Sequence, residues 1–153
     1  MTTIIFKNEG TIDKFIGDCI MAIFGAPIPH KDDVYRAVKS AVEIQYRMSD
    51  LNKERQRNGM RMVNVGIGIN HGEAVVGNIG SKERLDYTVI GDSVNTASRI
   101  QGLAKGGEVV VSESVYYQVK DAFTFIEMPP VKVKGKEKPL KVFKIKVEGY
   151  VGY

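Results

Sequence analysis

The sequence has very little of what several protein classes require. Among its 153 residues there are one cysteine, Cys19, two histidines and no tryptophan. A single cysteine cannot form an internal disulfide, and one cysteine with two histidines cannot fill the four positions of a structural zinc site. Apolar runs are also short, since none approaches the roughly 20 residues of a membrane-spanning helix. We therefore expect neither a disulfide scaffold, nor a zinc module, nor a membrane anchor.

The positive charge of the chain is a local feature. The formal net charge is +4 and the isoelectric point lies near 9.1. Seven lysines and one glutamate lie between residues 131 and 146, so this Lys-rich segment carries +6 and the rest of the chain −2. Its pattern indicates two strands, 131–134 and 142–146, with lysines on the solvent side. No series of aromatic side chains and no recognition helix accompanies it, so we expect no nucleic-acid partner.

Hydrophobic periodicity predicts a mixture of strands and helices. Two β-favouring runs joined by Gly17-Asp18 predict a hairpin over residues 11–24. Apolar residues spaced three and four apart predict a helix from Val34 to about Leu51. Further along, we predict strands at 63–69, 74–76, 85–90 and 108–111, a loop at 77–84, helices at 93–104 and 112–119, and two C-terminal strands. This order predicts an α/β (α+β) fold with a mainly antiparallel sheet, in a single domain spanning 1–153.

The predicted hairpin carries a candidate cation ligand. Strand alternation would put Lys14 and Asp18 on the same side of the ribbon, facing one cleft. A carboxylate exposed at a rigid turn suits Mg²⁺, which often takes one or two protein carboxylates and fills its shell with water and phosphate oxygens. Aspartate is also common in turns for conformational reasons alone, so both interpretations stay open. Cys19 falls inside the apolar strand, where we expect a buried small hydrophobe.

A second candidate group lies at the start of the helix predicted over 93–104. Asn95 and Arg99 are four residues apart and are therefore neighbours on one helix face. An amide that can orient a sugar hydroxyl, next to a guanidinium that grips phosphate, is suited to handling a nucleotide. The alternative is an ordinary solvated helix face on which Arg99 pairs with a carboxylate.

Four ordered segments resemble the class III adenylyl and guanylyl cyclase catalytic domain. They are TIDKFIGDCIMAIFGAP at 11–27, VGIGINHG at 65–72, YTVIGDSVNTASR at 87–99 and VKGK at 133–136. The resemblance implies a ferredoxin-like palm, a head-to-tail homodimer and active sites built across the dimer interface. It also implies conversion of ATP to 3′,5′-cyclic AMP and pyrophosphate, with two Mg²⁺ or Mn²⁺ ions in each site.

The resemblance implies a role for individual positions. Asp18 matches the second of two metal-binding aspartates. Asn95 and Arg99 match the pair that orients the ribose and stabilises charge on the α-phosphate. Lys134 matches a lysine that contacts the triphosphate. Asp18 would serve one composite site of the dimer, and the other subunit would complete that site with Lys14, Thr88, Asn95 and Arg99.

The resemblance further implies which purine is bound. Lys14 can donate a hydrogen bond to adenine N1, whereas guanylyl cyclases have a glutamate at this position. Thr88 stands where many adenylyl cyclases have aspartate and guanylyl cyclases have cysteine. Its hydroxyl can accept a hydrogen bond from the adenine amino group. Together, Lys14 and Thr88 imply ATP.

The resemblance is incomplete at one end. The domain of this family opens with a strand carrying Phe-x-Asp-Ile-x-x-Phe, whose aspartate is the other metal ligand, and two helices follow. Residues 1–10 resemble only the end of the second helix, and no later segment repeats the strand's pattern. We therefore expect an N-terminally truncated cyclase domain with little or no activity by itself.

The expected partners are ATP and a second copy of the chain. Residues 1–6 lack the basic flank and the apolar length of a secretory signal. We expect a cytoplasmic location, which includes the cytosolic part of a membrane-bound parent, with no membrane contact by this domain and with N-terminal sensory or regulatory domains. The alternative function is a non-catalytic cyclase-homology module that binds nucleotide or dimerises for regulation.

Overall fold

The computed structural model describes residues 1–147, which form helices and strands in a mixed order. Within these residues four of the five strand pairs are antiparallel, which confirms the predicted class. None of the helices described there is both long enough and apolar enough to span a membrane. In chain order the elements are α1 (Thr2–Lys7), β1 (Thr11–Ile16), β2 (Cys19–Ile23), α2 (Asp33–Arg57), β3 (Ile67–Ile69), β4 (Val75–Ser81), β5 (Arg84–Ile90), α3 (Asp92–Gln101), β6 (Val109–Ser112), α4 (Glu113–Val119), β7 (Phe125–Glu127) and β8 (Val142–Ile145).

A four-stranded sheet with the order β3-β6-β8-β7 lies at the centre of the fold. The valines of β6 at 109–111 are fully buried. Because side chains alternate along a strand, Val109 and Val111 pack in the cluster formed with α2, and Val110 packs in the cluster formed with Ile100 of α3. Coverage of both faces explains why this strand is a continuous apolar run.

Helix α2 confirms the helix predicted from residue 34 and is longer than expected. Its buried face is formed by Val38, Ala41, Ile44 and Met48, at the predicted spacing. The charged segment 53–57 consists of good helix formers and continues the helix by a turn and a half, until Asn58 and Gly59 end it.

The strand predicted over 63–69 is shorter, because side chains of α2 take the place of a strand neighbour. The amide of Asn52 donates to the Val63 carbonyl at 2.8 Å and accepts from the Val63 N–H at 2.8 Å. The buried Gln45 amide donates to the Val65 carbonyl at 2.7 Å. The Val65 carbonyl also accepts from the Gly107 N–H at 2.9 Å, and the regular pairing with β6 begins only at Ile67.

The loop predicted over 77–84 is wrong, since β4 and β5 form one continuous hairpin. Their pairing runs from Val75 opposite Ile90 to Ser81 opposite Arg84. Because this segment is rich in polar residues and glycines, it lacks the apolar alternation from which a strand is predicted. Within the Lys-rich segment, β8 is formed as predicted, whereas the strand expected over 131–134 is reduced to one bridge between Val131 and Leu140.

Glycines of β3 and the residues before it allow α3 to pack directly on the backbone. A Cβ atom at Gly68 would overlap the backbone nitrogen of Gln101, and one at Gly66 would overlap the carbonyl oxygen of Ala104. The short Gly-x-Gly pattern is therefore a packing feature that fixes α3 against β3.

We expect Gly68→Ala to lower the free energy of unfolding by about 1–3 kcal/mol, because the backbone of α3 must move away. Denaturant unfolding followed by circular dichroism measures this. Gly77→Ala is the matched control, since a Cβ atom at Gly77 meets nothing within 4 Å. Equal effects of the two substitutions would contradict the packing role of Gly68.

Candidate functional site

The predicted hairpin is present as β1 and β2 and presents Asp18 at its turn. Gly17 adopts a left-handed backbone conformation with φ of 60°, which permits the tight connection. Asp18 is exposed, and among residues 1–147 no lysine or arginine nitrogen lies within ion-pair distance of its carboxylate. Cys19 is also exposed, so its expected burial is wrong. The Asp18 carboxylate is thus available to a cation.

A bulge in β1 changes the surroundings of Lys14. Ile12 pairs with Ala22 and Lys14 pairs with Met21, so Asp13 is an extra residue with no partner in the ladder. A bulge re-aims the side chains at its position. Lys14 Nζ lies 3.3 Å from Asp13 Oδ2, whereas the structure records no contact between Lys14 and Asp18 in the residues it describes.

Asp13 joins the two residues that the sequence assigns to base recognition. The Thr88 hydroxyl donates to Asp13 Oδ2 at 3.0 Å, across 75 residues of sequence. The side chain of Asp13 is 1% exposed and that of Lys14 is 48% exposed. Lys14 and Thr88 therefore lie together in the folded chain, with the carboxylate of Asp13 between them. We define Asp13, Lys14 and Thr88 as the β1–β5 cluster.

Sequence reasoning missed Asp13. Strict alternation along a strand would turn the residue next to Lys14 to the opposite face of the ribbon. One signal was available, because a carboxylate between Ile12 and Lys14 is unusual in a strand that packs against a core. Only the bulge and the position of β5 turn that residue toward Thr88.

Helix α3 is present where the sequence predicts a helix and carries the second candidate group, whose role stays a prediction. Thr96 and Ile100 are buried and hold the helix on the sheet, which leaves Asn95 and Arg99 on an exposed face. Among the described residues no carboxylate lies within ion-pair distance of the Arg99 guanidinium. The arrangement leaves one amide and one guanidinium, one turn apart, available to a polar ligand.

The Lys-rich segment reaches the start of α3 through a residue that the sequence did not single out. Lys136 Nζ lies 3.0 Å from Asp92 Oδ2. Val131 and Leu140 exchange backbone hydrogen bonds of 3.0 and 2.8 Å, which close the loop that carries this lysine. Lys134, two residues earlier, is exposed. Its expected contact with a triphosphate stays a prediction.

Two clefts in the described part of the chain are lined by residues other than the predicted ones. A cleft of about 450 Å³ opens beside α3, lined by residues that include His71, Asp92, Thr96 and Lys136. A second cleft of about 430 Å³ lies between Glu73 and Gly91. Neither is lined by the candidate residues, which are Lys14, Asp18, Thr88, Asn95, Arg99 and Lys134.

The described residues also provide few side chains that could bind a metal ion together. Residues 1–147 contain no group of three or more His, Cys, Asp or Glu side chains that could hold an ion. Asp18 fits a metal site as a single exposed carboxylate. Further ligands would have to come from another segment or from a substrate.

Large apolar side chains on the two hairpins are exposed. In β1, Phe15 and Ile16 are 63% and 57% exposed. In β4 and β5 the corresponding values are 65% for Val75 and 59% for Leu85. Exposed apolar side chains in such number on neighbouring hairpins are typical of an interaction surface.

A family model and the curated relatives of this chain point to the same protein family. The family model described as the adenylate and guanylate cyclase catalytic domain matches residues 2–147. The chain is 34% identical over 144 residues to adenylate cyclase 1 of Rhizobium meliloti and 38% identical over 151 residues to an adenylate cyclase of Anabaena cylindrica. Each match covers 93% of this chain, which spans only 22% and 29% of the length of these two relatives.

Solved structures of both nucleotide classes are similar to this fold. The adenylyl cyclase CyaB from P. aeruginosa matches with a TM-score of 0.88 and 34% identity, over 95% of this chain and 76% of that one. The guanylyl cyclase Cya2 matches with a TM-score of 0.86 and 37% identity, over 94% and 73%. The similarity therefore does not distinguish adenine from guanine.

Proposed function

Because the chain belongs to the adenylate and guanylate cyclase catalytic domain family, we propose that it acts as an adenylyl cyclase catalytic domain. In the proposed reaction the ribose 3′-oxygen of ATP attacks the α-phosphorus. The bond from that phosphorus to the bridging oxygen of the β-phosphate breaks, which gives 3′,5′-cyclic AMP and pyrophosphate. The observation that carries the choice of ATP is the β1–β5 cluster, which holds the donor Lys14 beside Thr88.

Residues of α3 are proposed to act on the ribose and the α-phosphate. Arg99 has no carboxylate partner among the described residues, so its guanidinium is free to bind phosphate oxygens with two parallel hydrogen bonds. Charge builds on those oxygens as the 3′-oxygen approaches, and a fixed cation stabilises it. Asn95, one turn earlier, is placed to orient the ribose.

Asp18 is the proposed metal-binding residue. Its exposed carboxylate, which has no lysine or arginine partner among the described residues, is of the type that Mg²⁺ and Mn²⁺ take. Divalent cations bound at such a site assist attack by the 3′-oxygen and neutralise charge on the departing pyrophosphate. Within the sequence, Asp18 is the one member of the family's aspartate pair that is present.

A second copy of the chain is proposed to complete the site. Except for the buried Thr88, the candidate residues are exposed, and none lines either of the two clefts described above. Burial of Phe15, Val75 and Leu85 against another subunit would remove large apolar side chains from water. Such a homodimer would bring Asp18 of one subunit to the nucleotide held by α3 and by the β1–β5 cluster of the other.

We expect the 153-residue chain alone to form little or no cyclic AMP with Mg²⁺ or Mn²⁺, because one of the two metal-binding aspartates is absent from its sequence. Addition of an N-terminal strand with Phe-x-Asp and its two helices is expected to restore turnover. In that extended protein, Arg99→Ala is expected to lower kcat by about 10²–10³.

Chromatographic measurement of cyclic AMP and pyrophosphate tests both statements. Arg47→Ala is the matched control, since this arginine lies on α2 away from the candidate residues. Comparable turnover by the short and the extended proteins would contradict the requirement for the second aspartate. An inactive extended protein that still binds ATP would favour a non-catalytic nucleotide-binding module.

The double substitution Lys14→Glu with Thr88→Cys is expected to shift the extended protein toward GTP. A glutamate at position 14 would accept from guanine N1 and its amino group, which the lysine cannot do. The kcat/KM ratio for cyclic AMP and cyclic GMP formation measures the shift. Lys31→Glu makes the same charge change on an exposed loop and should leave the ratio unaltered; an unchanged ratio in the double variant would refute the assignment.

A further inference from the structure

Asp13 is an unusual residue to find buried at the edge of a hairpin. Its side chain is 1% exposed, and its second oxygen, Oδ1, has no hydrogen-bond partner within the described part of the chain. A buried carboxylate with an unsatisfied oxygen costs free energy, which an apolar residue of similar size would avoid. Folding stability therefore gives no reason for an aspartate here, and its contacts with Thr88 and Lys14 suggest another role.

The contact with Thr88 determines which way the hydroxyl points. A hydroxyl group has one proton to donate and two lone pairs that accept, whereas a carboxylate only accepts. The 3.0 Å bond to Asp13 Oδ2 therefore takes the hydroxyl proton of Thr88. Toward a ligand, Thr88 can then act only as an acceptor.

The contact with Lys14 places a hydrogen-bond donor beside the acceptor of Thr88. An ammonium group has three protons and no acceptor, and Lys14 Nζ lies 3.3 Å from Asp13 Oδ2. The lysine is 48% exposed, so its remaining protons are available to a ligand. One carboxylate oxygen thus holds a donor and an acceptor side by side.

This polarity matches one purine and opposes the other. Adenine offers an amino group that donates next to a ring nitrogen, N1, that accepts. Guanine offers an oxygen, O6, that accepts next to an N1–H that donates. An acceptor at Thr88 beside a donor at Lys14 complements the amino group and N1 of adenine. Against guanine, the same arrangement would place acceptor against O6 and donor against N1–H.

We propose that Asp13 is a positioning residue that sets the purine choice by committing the Thr88 hydroxyl as an acceptor and holding Lys14 beside it. The proposal rests on the proposed adenylyl cyclase function and names what enforces its base selectivity. Without the carboxylate, the Thr88 hydroxyl can turn and donate to guanine O6. Selectivity is then lost although Lys14 and Thr88 are both retained.

Asp13→Asn tests the proposal in the 153-residue chain, because an asparagine amide can donate to Thr88 Oγ1 and release the hydroxyl proton. We expect the ratio of the ATP to the GTP dissociation constant, measured by calorimetry with Mg²⁺, to change by about tenfold in favour of GTP. Asp86→Asn is the matched control, since Asp86 is an aspartate of β5, two residues before Thr88, with its side chain 65% exposed. A loss of affinity that is equal for both nucleotides would assign Asp13 a merely structural role and overturn the proposal.

A double-mutant cycle keeps the test independent of nucleotide binding. Asp13→Ala and Thr88→Val, alone and combined, are compared by denaturant unfolding, because alanine removes the contact with Thr88 without making a new one. We expect the combined effect on the unfolding equilibrium constant to differ from the product of the single effects by at least threefold. Additive effects would show that the two residues are not coupled and would overturn the proposal. Coupling without any nucleotide binding would retain the Asp13–Thr88 contact and overturn a role for Asp13 in purine choice, whereas the proposed function is judged by cyclic AMP formation in the extended protein.

Discussion

Burial of β6 on both faces is the constraint on which the remaining structure depends. Val109 and Val111 pack toward α2 on one face, and Val110 packs toward α3 on the other. Helix α3 is thereby fixed with Thr96 and Ile100 inward, so Asn95 and Arg99 must face outward. The exposure of Asn95 and Arg99, which we propose to bind the nucleotide, therefore follows from the burial of the apolar strand β6.

The two hairpins lie outside this sheet and are joined by a polar contact. β1–β2 and β4–β5 are separate two-stranded units, and Asp13 in one accepts a hydrogen bond from Thr88 in the other. Isolated two-stranded hairpins are marginally stable in water. The β1–β2 hairpin is also supported by the core, because Ile12, Ile20, Ala22 and Phe24 pack against Ile5 of α1 and Ile44 of α2. The apolar side chains of the hairpins that stay exposed are those that the proposed homodimer would bury.

Local patterns predicted much of this fold, and long-range contacts account for what they missed. The spacing of apolar residues in α2 predicts its buried face, because helix geometry alone decides it. The shortened β3 depends on Asn52, a helix residue whose amide pairs with Val63. At the site, Asn95 and Arg99 could be placed by helical spacing, whereas the orientation of Asp13 could not be derived from strand alternation, since a bulge interrupts the alternation at this residue.

The identity of a side chain does not by itself determine whether it donates or accepts a hydrogen bond toward a ligand. A threonine hydroxyl can accept from adenine or donate to guanine, so Thr88 by itself carries no preference. A neighbouring acceptor removes one of these options, and the lysine beside it adds a donor. The fold is similar to both an adenylyl and a guanylyl cyclase. Under the proposed role of Asp13, the choice of nucleotide would depend on a contact behind the base-facing residues and not on the fold.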